Sequence, residues 1–199
     1  MERSAGVCYL AARHENEGEP AVFDLGNFVE DCKSTISKDP THKGIADLMA
    51  EAVSDPDAML REIGEPTEGG VFPIYRSPEI TVINVVWKPG FTITPHNHDM
   101  WAVIGIYGGR EDNIFWRRIK DDPDGRIEAA GAKALGTGQY SPLGRDIIHS
   151  VTNPIMKLTG ALHIYGGDFF DAHQSEWDAE HLTEHARDME KVKAMFAEG

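Results

Sequence analysis

The sequence predicts a mainly β protein, one small barrel or sandwich of short strands with helical segments at its two ends. Three observations carry this. A chain of 199 residues is about the size that one hydrophobic core serves. Between Val71 and about Phe170, short runs rich in valine, isoleucine and aromatic residues alternate with glycine, proline and aspartate clusters, the regular punctuation of an all-β core. On either side of that stretch the apolar residues recur at three- and four-residue steps instead, the period of a helix.

Taken in order, residues 1–20 include Glu15-Asn16-Glu17-Gly18-Glu19-Pro20, too polar to bury surface, and read as a flexible tail ahead of a single domain over 21–199. Within 21–68, Phe28, Val29, Cys32 and Ile36 mark a first helix. Thr41 stands where it would cap a second, carrying Ile45, Leu48, Met49 and Val53, and Pro56 suits the first turn of a third that runs through Leu60. Over 69–170 strands are expected near 71–76, 79–87, 91–97, 101–107, 112–119, 126–134, 146–152 and 157–166, with Asp121-Asp122-Pro123-Asp124-Gly125 a turn between two of them. A C-terminal helix over 175–197 follows from Met189, Val192, Met195 and Phe196 among interspersed glutamates and lysines.

Composition narrows the function classes. A formal charge of −14 sets the surface against nucleic acid and anionic membranes, neither of which is expected as a partner. The two cysteines, Cys8 and Cys32, have no metal-clamp or disulfide spacing and read as free thiols, which together with the absence of a secretory signal pattern suggests the cytoplasm.

The chemistry is concentrated in Gly90-Phe91-Thr92-Ile93-Thr94-Pro95-His96-Asn97-His98, where two histidines two residues apart in an extended segment project from one face. His149, in the β-like segment Asp146-Ile147-Ile148-His149-Ser150-Val151, completes a metal site if the strands are neighbours; each histidine taken alone is as readily a satisfied barrel residue. Imidazole ligands suit Fe, Ni, Cu and Zn alike.

These residues resemble the cupin pattern. Gly90, His96, His98 and Gly109 stand at the spacings of its first motif, and Pro142, Gly144, His149 and Asn153 echo its second. The resemblance implies a cupin double-stranded β-helix, a jelly-roll-like barrel, with one departure: Ala102 or Val103 occupies the place of the usual glutamate ligand. Three neutral imidazoles would leave a divalent ion its full charge and favour an anionic ligand.

Within the cupins, the chain over roughly 71–170 resembles the cysteine dioxygenase, or thiol dioxygenase, family, and more specifically its bacterial, 3-mercaptopropionate dioxygenase-like branch. The family's Ser-x-His-x-Tyr strand motif is matched by Ala161-Leu162-His163-Ile164-Tyr165, with Trp87 and His98-Asp99-Met100-Trp101 as further likenesses. The resemblance implies Fe(II) held by His96, His98 and His149, Tyr165 and His163 as catalytic residues, and a small thiol and O2 as reactants giving a sulfinic acid. The motif's serine is Ala161 here, so another group or water must orient His163, and no cysteine follows Cys32 to cross-link the tyrosine. Arg76 lies near the place of the family's carboxylate-binding arginine, with Arg117, Arg118 and Arg145 as further candidates. A three-histidine cupin oxidising a carbon substrate, such as a β-diketone or a phenolic, and a metal-binding cupin without turnover are the other readings. His181 and His185, four apart on the expected helix, lack a third ligand and read as surface.

Overall fold

The structure, a computed structural model, describes residues 22–198. The expected tail over 1–20, with Cys8, lies outside the described residues. Among those described, three helices come first: α1 (Leu25–Lys38), α2 (Lys43–Ser54) and α3 (Pro56–Ile63). Asp24 opens α1 by accepting the Asn27 amide at 2.7 Å, and Asp55 opens α3 by accepting that of Ala58 at 2.9 Å, with Pro56 in the first turn. The expected cap at Thr41 is not formed; α2 starts after His42 with no side-chain cap.

The strands follow as β1 (Gly70–Arg76), β2 (Thr81–Trp87), β3 (Thr92–His96), β4 (Ala102–Gly108), β5 (Arg110–Arg118), β6 (Ile127–Gly136), β7 (Tyr140–Leu143), β8 (Ile148–Thr152), β9 (Thr159–Tyr165), β10 (Ser175–Trp177) and β11 (Glu184–Ala186), and the chain closes with α4 (Met189–Glu198). They form two antiparallel sheets, β1-β2-β9-β4-β7 and β11-β10-β3-β8-β5-β6. The two-sheet, mainly β architecture is the one expected from the sequence.

The two sheets differ in what covers them. In the first, β9 is buried along its whole length and β2 and β4 nearly so, because both faces are packed. Inside lie Ile83, Ile104 and Ala161; outside, Val82, Val103, Leu162 and Ile164 meet Phe28, Cys32, Ile45, Met49 and Met59 of the helices. Each such apolar side chain contributes about 1.5–3 kcal/mol on burial. Gly105 permits the close approach of α2, since a Cβ there would run into Met49 Sδ. In the second sheet the edge strand β6 is exposed at every residue between Ile127 and Leu135, and Ile148 of β8, on the side away from His149, is covered by a small cluster with Ile127, Trp116 and Trp177.

Two stretches depart from expectation. Tyr140–Leu143 is a strand although Pro142 interrupts its pattern, and it is tolerated because β7 is the edge of its sheet. The C-terminal helix does not span 175–197. Residues 175–186 form the β10–β11 hairpin instead, added to the edge of β3 where Glu176 pairs with His96. Asp178 builds its turn by accepting the amides of Glu180, His181 and Thr183, a local alternative to the helix, and only after Asp188, which accepts the amides of Glu190 and Lys191, does α4 begin. His181 and His185 are therefore not on a helix: His181 is in the exposed turn, and His185 Nδ1 lies 3.1 Å from the Glu176 carbonyl.

Candidate metal centre

His96 ends β3 and stands directly opposite His149 of β8 in the strand register. His98 lies two residues on, in a segment pinned to the C-terminal hairpin: the Asn97 amide donates to the Ser175 carbonyl at 3.1 Å, and the Ser175 amide to Asn97 Oδ1 at 2.8 Å. All three imidazoles are buried, with ring centroids 4.6–5.1 Å apart. Their ligand nitrogens lie within 4.8 Å of one another.

Neighbouring acceptors set which nitrogen faces inward. His96 Nδ1 is 2.9 Å from the Thr94 carbonyl and His149 Nδ1 is 2.7 Å from Asn113 Oδ1, so in both the Nδ1–H donates and Nε2 is left bare. Asn113 is held in turn by donating to Glu111 Oε1 at 2.9 Å, which fixes which way its amide points. His98 has Tyr165 edge-on to its ring, with centroids 5.0 Å apart.

The chemistry of this donor set fits a cation. His149 Nε2 and His98 Nε2 face each other at 3.3 Å, a separation that a His98 Nε2–H donating to His149 satisfies and that two ligands of one ion also adopt. At metal–nitrogen distances of about 2.1 Å that separation subtends roughly 105°, an ordinary ligand angle. Burial pushes the pKa of His96 and His98 well below the usual imidazole range, assisted in both by Arg187 and His149. It holds His149 down to about 4, against the opposing pull of Glu111. All three are thus neutral, and able to ligate, at pH 7. Ala102, one of the two positions at which the cupin pattern would have its carboxylate ligand, lies opposite Tyr165 in the pairing of β4 with β9 and brings no charge to the site.

Beside the histidines, His163 Nδ1 and the Tyr165 hydroxyl are 3.0 Å apart, as expected of two residues on one strand face. Burial raises the tyrosine's pKa and keeps the phenol protonated. The group behind His163 is Glu111, reached from β5: its Oε2 accepts Trp87 Nε1–H at 2.8 Å and lies 3.6 Å from His163 Nε2. Burial alone would raise Glu111, but His163, Asn113 and His149 outweigh it and keep the carboxylate charged. Glu111 thus stands behind both the His163–Tyr165 pair and, through Asn113, the ligand His149.

The sequence-derived arginines lie elsewhere. Arg76 makes a bidentate pair with Asp168 at 2.8 and 2.9 Å, over the Phe170 ring, and does not line the histidine cavity. Arg117, Arg118 and Arg145 pair with Glu128, Glu184 and Asp99 at the surface. The arginine in the cavity wall is Arg187, between β11 and α4. One clue to the missed groups was available: Glu111 and Asn113 are polar residues at a two-residue step on a strand, the spacing of a shared face. Nothing local distinguishes Arg187.

No protein-family model matches the chain. Among solved structures, the chain is similar to an uncharacterized conserved protein with a double-stranded β-helix domain from Klebsiella pneumoniae, at 12% identity over 57% of this chain and 90% of that one, TM-score 0.40. It is similar to an RmlC-like cupin family protein from Methanocaldococcus jannaschii at 8% identity, over 53% and 86% of the two chains, TM-score 0.42. A cupin 2 conserved barrel domain protein from Leptotrichia buccalis shares 18% identity over 54% of this chain and 46% of its own, TM-score 0.41. At this level of likeness neither a metal nor a reaction passes from these proteins to the chain.

Proposed function

We propose that the protein is an Fe(II)-dependent dioxygenase that converts a small thiol to its sulfinate, RS⁻ + O2 → RSO2⁻, with both oxygen atoms added to sulfur. The observation that carries this reading is the convergence of His96, His98 and His149, with no carboxylate ligand, beside the Tyr165 hydroxyl. Three neutral ligands favour an ion that takes up an anionic sulfur. When bound, Fe(II) supplies the electron exchange between thiolate and O2 that neither reactant accomplishes alone.

The chain's own residues do the rest. His163 fixes the Tyr165 hydroxyl at 3.0 Å, so the pair presents a hydrogen bond to an oxygen atom of the reacting group. Glu111 replaces the orienting serine absent at Ala161 by standing behind His163 Nε2. Ile83, Val85, Ile93, Val151 and Phe169 wall the cavity and exclude water from the polar groups. No helix among the described residues is long and apolar enough to cross a membrane, and the thiol reading places the protein in a reducing compartment where its substrate persists.

The test is oxygen uptake by anaerobically prepared, Fe(II)-loaded protein supplied in turn with cysteine, 3-mercaptopropionate, cysteamine and a β-diketone. Uptake with a thiol and a product two oxygen atoms heavier is expected; uptake with the diketone alone transfers the site to carbon oxidation, and no uptake with any of them leaves a metal-binding protein without turnover. His149→Ala should lose stoichiometric metal, and metal retained at unchanged affinity would remove it from the ligand set.

A further inference from the structure

A sheet edge is a row of unpaired backbone amides and carbonyls, and soluble proteins keep such rows short, interrupted or covered. Three of the four edges here obey this. β1 carries Pro73 and an irregular register with β2, β7 has four residues including Pro142, and β11 has three. The fourth edge, β6, runs for ten residues without a proline, and residues 128–134 are all exposed. Apart from Glu128 and Lys133 that stretch is alanine and glycine alone, so no bulky side chain hinders the approach of another backbone.

The pattern of β6 is complementary to itself. In its ladder with β5, Lys133 lies opposite Asn113 and Glu128 opposite Arg117, and the register shift between Phe115 and Trp116 leaves Ala130 out of the pairing. That extra residue brings Glu128 and Lys133, which strict alternation would put on opposite sides, to one face of the sheet. A second β6 running antiparallel, about a twofold axis between Ala130 and Gly131, sets Glu128 against Lys133 at both ends and Ala129 against Ala132 on the other face. Opposite charges directly across a ladder stabilise it. Lys133 otherwise reaches only neutral acceptors, Ser141 Oγ at 3.0 Å and the Tyr140 carbonyl at 3.4 Å. The same pairing joins Ile114, 43% exposed beside Ala132, to Trp116 beside Ala129 of the second copy in one apolar row. A formal charge of −14 on each chain opposes self-association, but between Ile127 and Gly136 the charges cancel.

We infer that β6 is a docking edge for a second copy of this chain, giving a twofold dimer in which the two outer sheets become one continuous sheet. The dimer is independent of what His96, His98 and His149 bind. One strand edge is a small interface, so a dissociation constant of about 1–100 μM is expected.

The test is sedimentation equilibrium of the full chain from about 1 to 500 μM, a range that brackets such a constant. Wild type should approach twice the mass of one chain. Lys133→Glu sets like charges opposite each other at both ends and should weaken association about tenfold or more, and the exchange Glu128→Lys with Lys133→Glu should recover most of it. In a Cys8→Ser background, Ala129→Cys with Ala132→Cys should be trapped as a covalent dimer by mild oxidation, which also guards against a folding defect in the charge variants. Ala134→Cys alone, whose two copies lie far apart in this register, should stay uncross-linked. A wild type that remains monomeric throughout overturns the inference. So does a dimer that is indifferent to Lys133→Glu and that the cysteine pair fails to trap, because its interface then lies elsewhere.

Discussion

The molecule is covered at two places by helices, and the two covers are built differently. The N-terminal helices seal the outer face of the first sheet with apolar contacts; Cys32, Ile45, Met49 and Met59 are fully buried there, and no polar group of the centre reaches them. The C-terminal helix α4 closes the barrel interior with little more than Val192 and Phe196, the latter stacked on Phe91 at 4.6 Å and close to Trp87 at 5.4 Å. One is a second hydrophobic core and the other a thin wall of the functional cavity. Burial of many side chains makes an element inseparable from global stability, whereas an element held by two can open on its own.

The comparison is broken most directly at its strongest point. Met59→Ala should lower unfolding free energy by about 2–5 kcal/mol in denaturant titration. Metal affinity of the folded variant should be unchanged, and a parallel tenfold loss of metal would show that the helices support the centre after all. The next largest effect belongs to the polar support of the ligands: Asn113→Ala, which frees His149 Nδ1, should weaken metal binding roughly 10- to 100-fold in competition with a chelator. An effect of less than twofold would remove Asn113 from the site. Phe196→Ala should speed ligand association in stopped-flow measurements yet cost about 1 kcal/mol or less of global stability, because α4 can detach locally. A loss of 3–5 kcal/mol, the range for a core phenylalanine, would make α4 part of the main core and abolish the contrast. At the small end, His181→Ala should leave metal content intact and stability within about 0.5 kcal/mol, as befits an exposed turn residue.

Much of the centre was legible because it is local. His96 and His98 are two residues apart, as are His163 and Tyr165, and the extended backbone alone directs each pair to one side. The barrel was legible for a similar reason, since runs such as Thr81-Val82-Ile83-Asn84-Val85-Val86-Trp87 carry the β-branched density of a strand packed on both faces. The C-terminal hairpin was obscured because its residues have mixed helical character and their strand state depends on pairing with β3, an edge far away in the chain. Arg76 was favoured by its position before Trp87, but a surface carboxylate, Asp168, lies within reach and takes it.

By itself, the sequence determined the class of fold, the helices at either end, the two histidine-containing pairs and the absence of a carboxylate at Ala102 or Val103, all consequences of residue type and short-range spacing. Only the tertiary structure decided that His149 stands across from His96, that the Glu111 carboxylate stands 3.6 Å from His163 Nε2, and that Arg187 rather than Arg76 lines the cavity. Those are meetings of residues tens of positions apart. Strand register and the packing of the C-terminal segment bring them together, and neither is written in any local window of the chain.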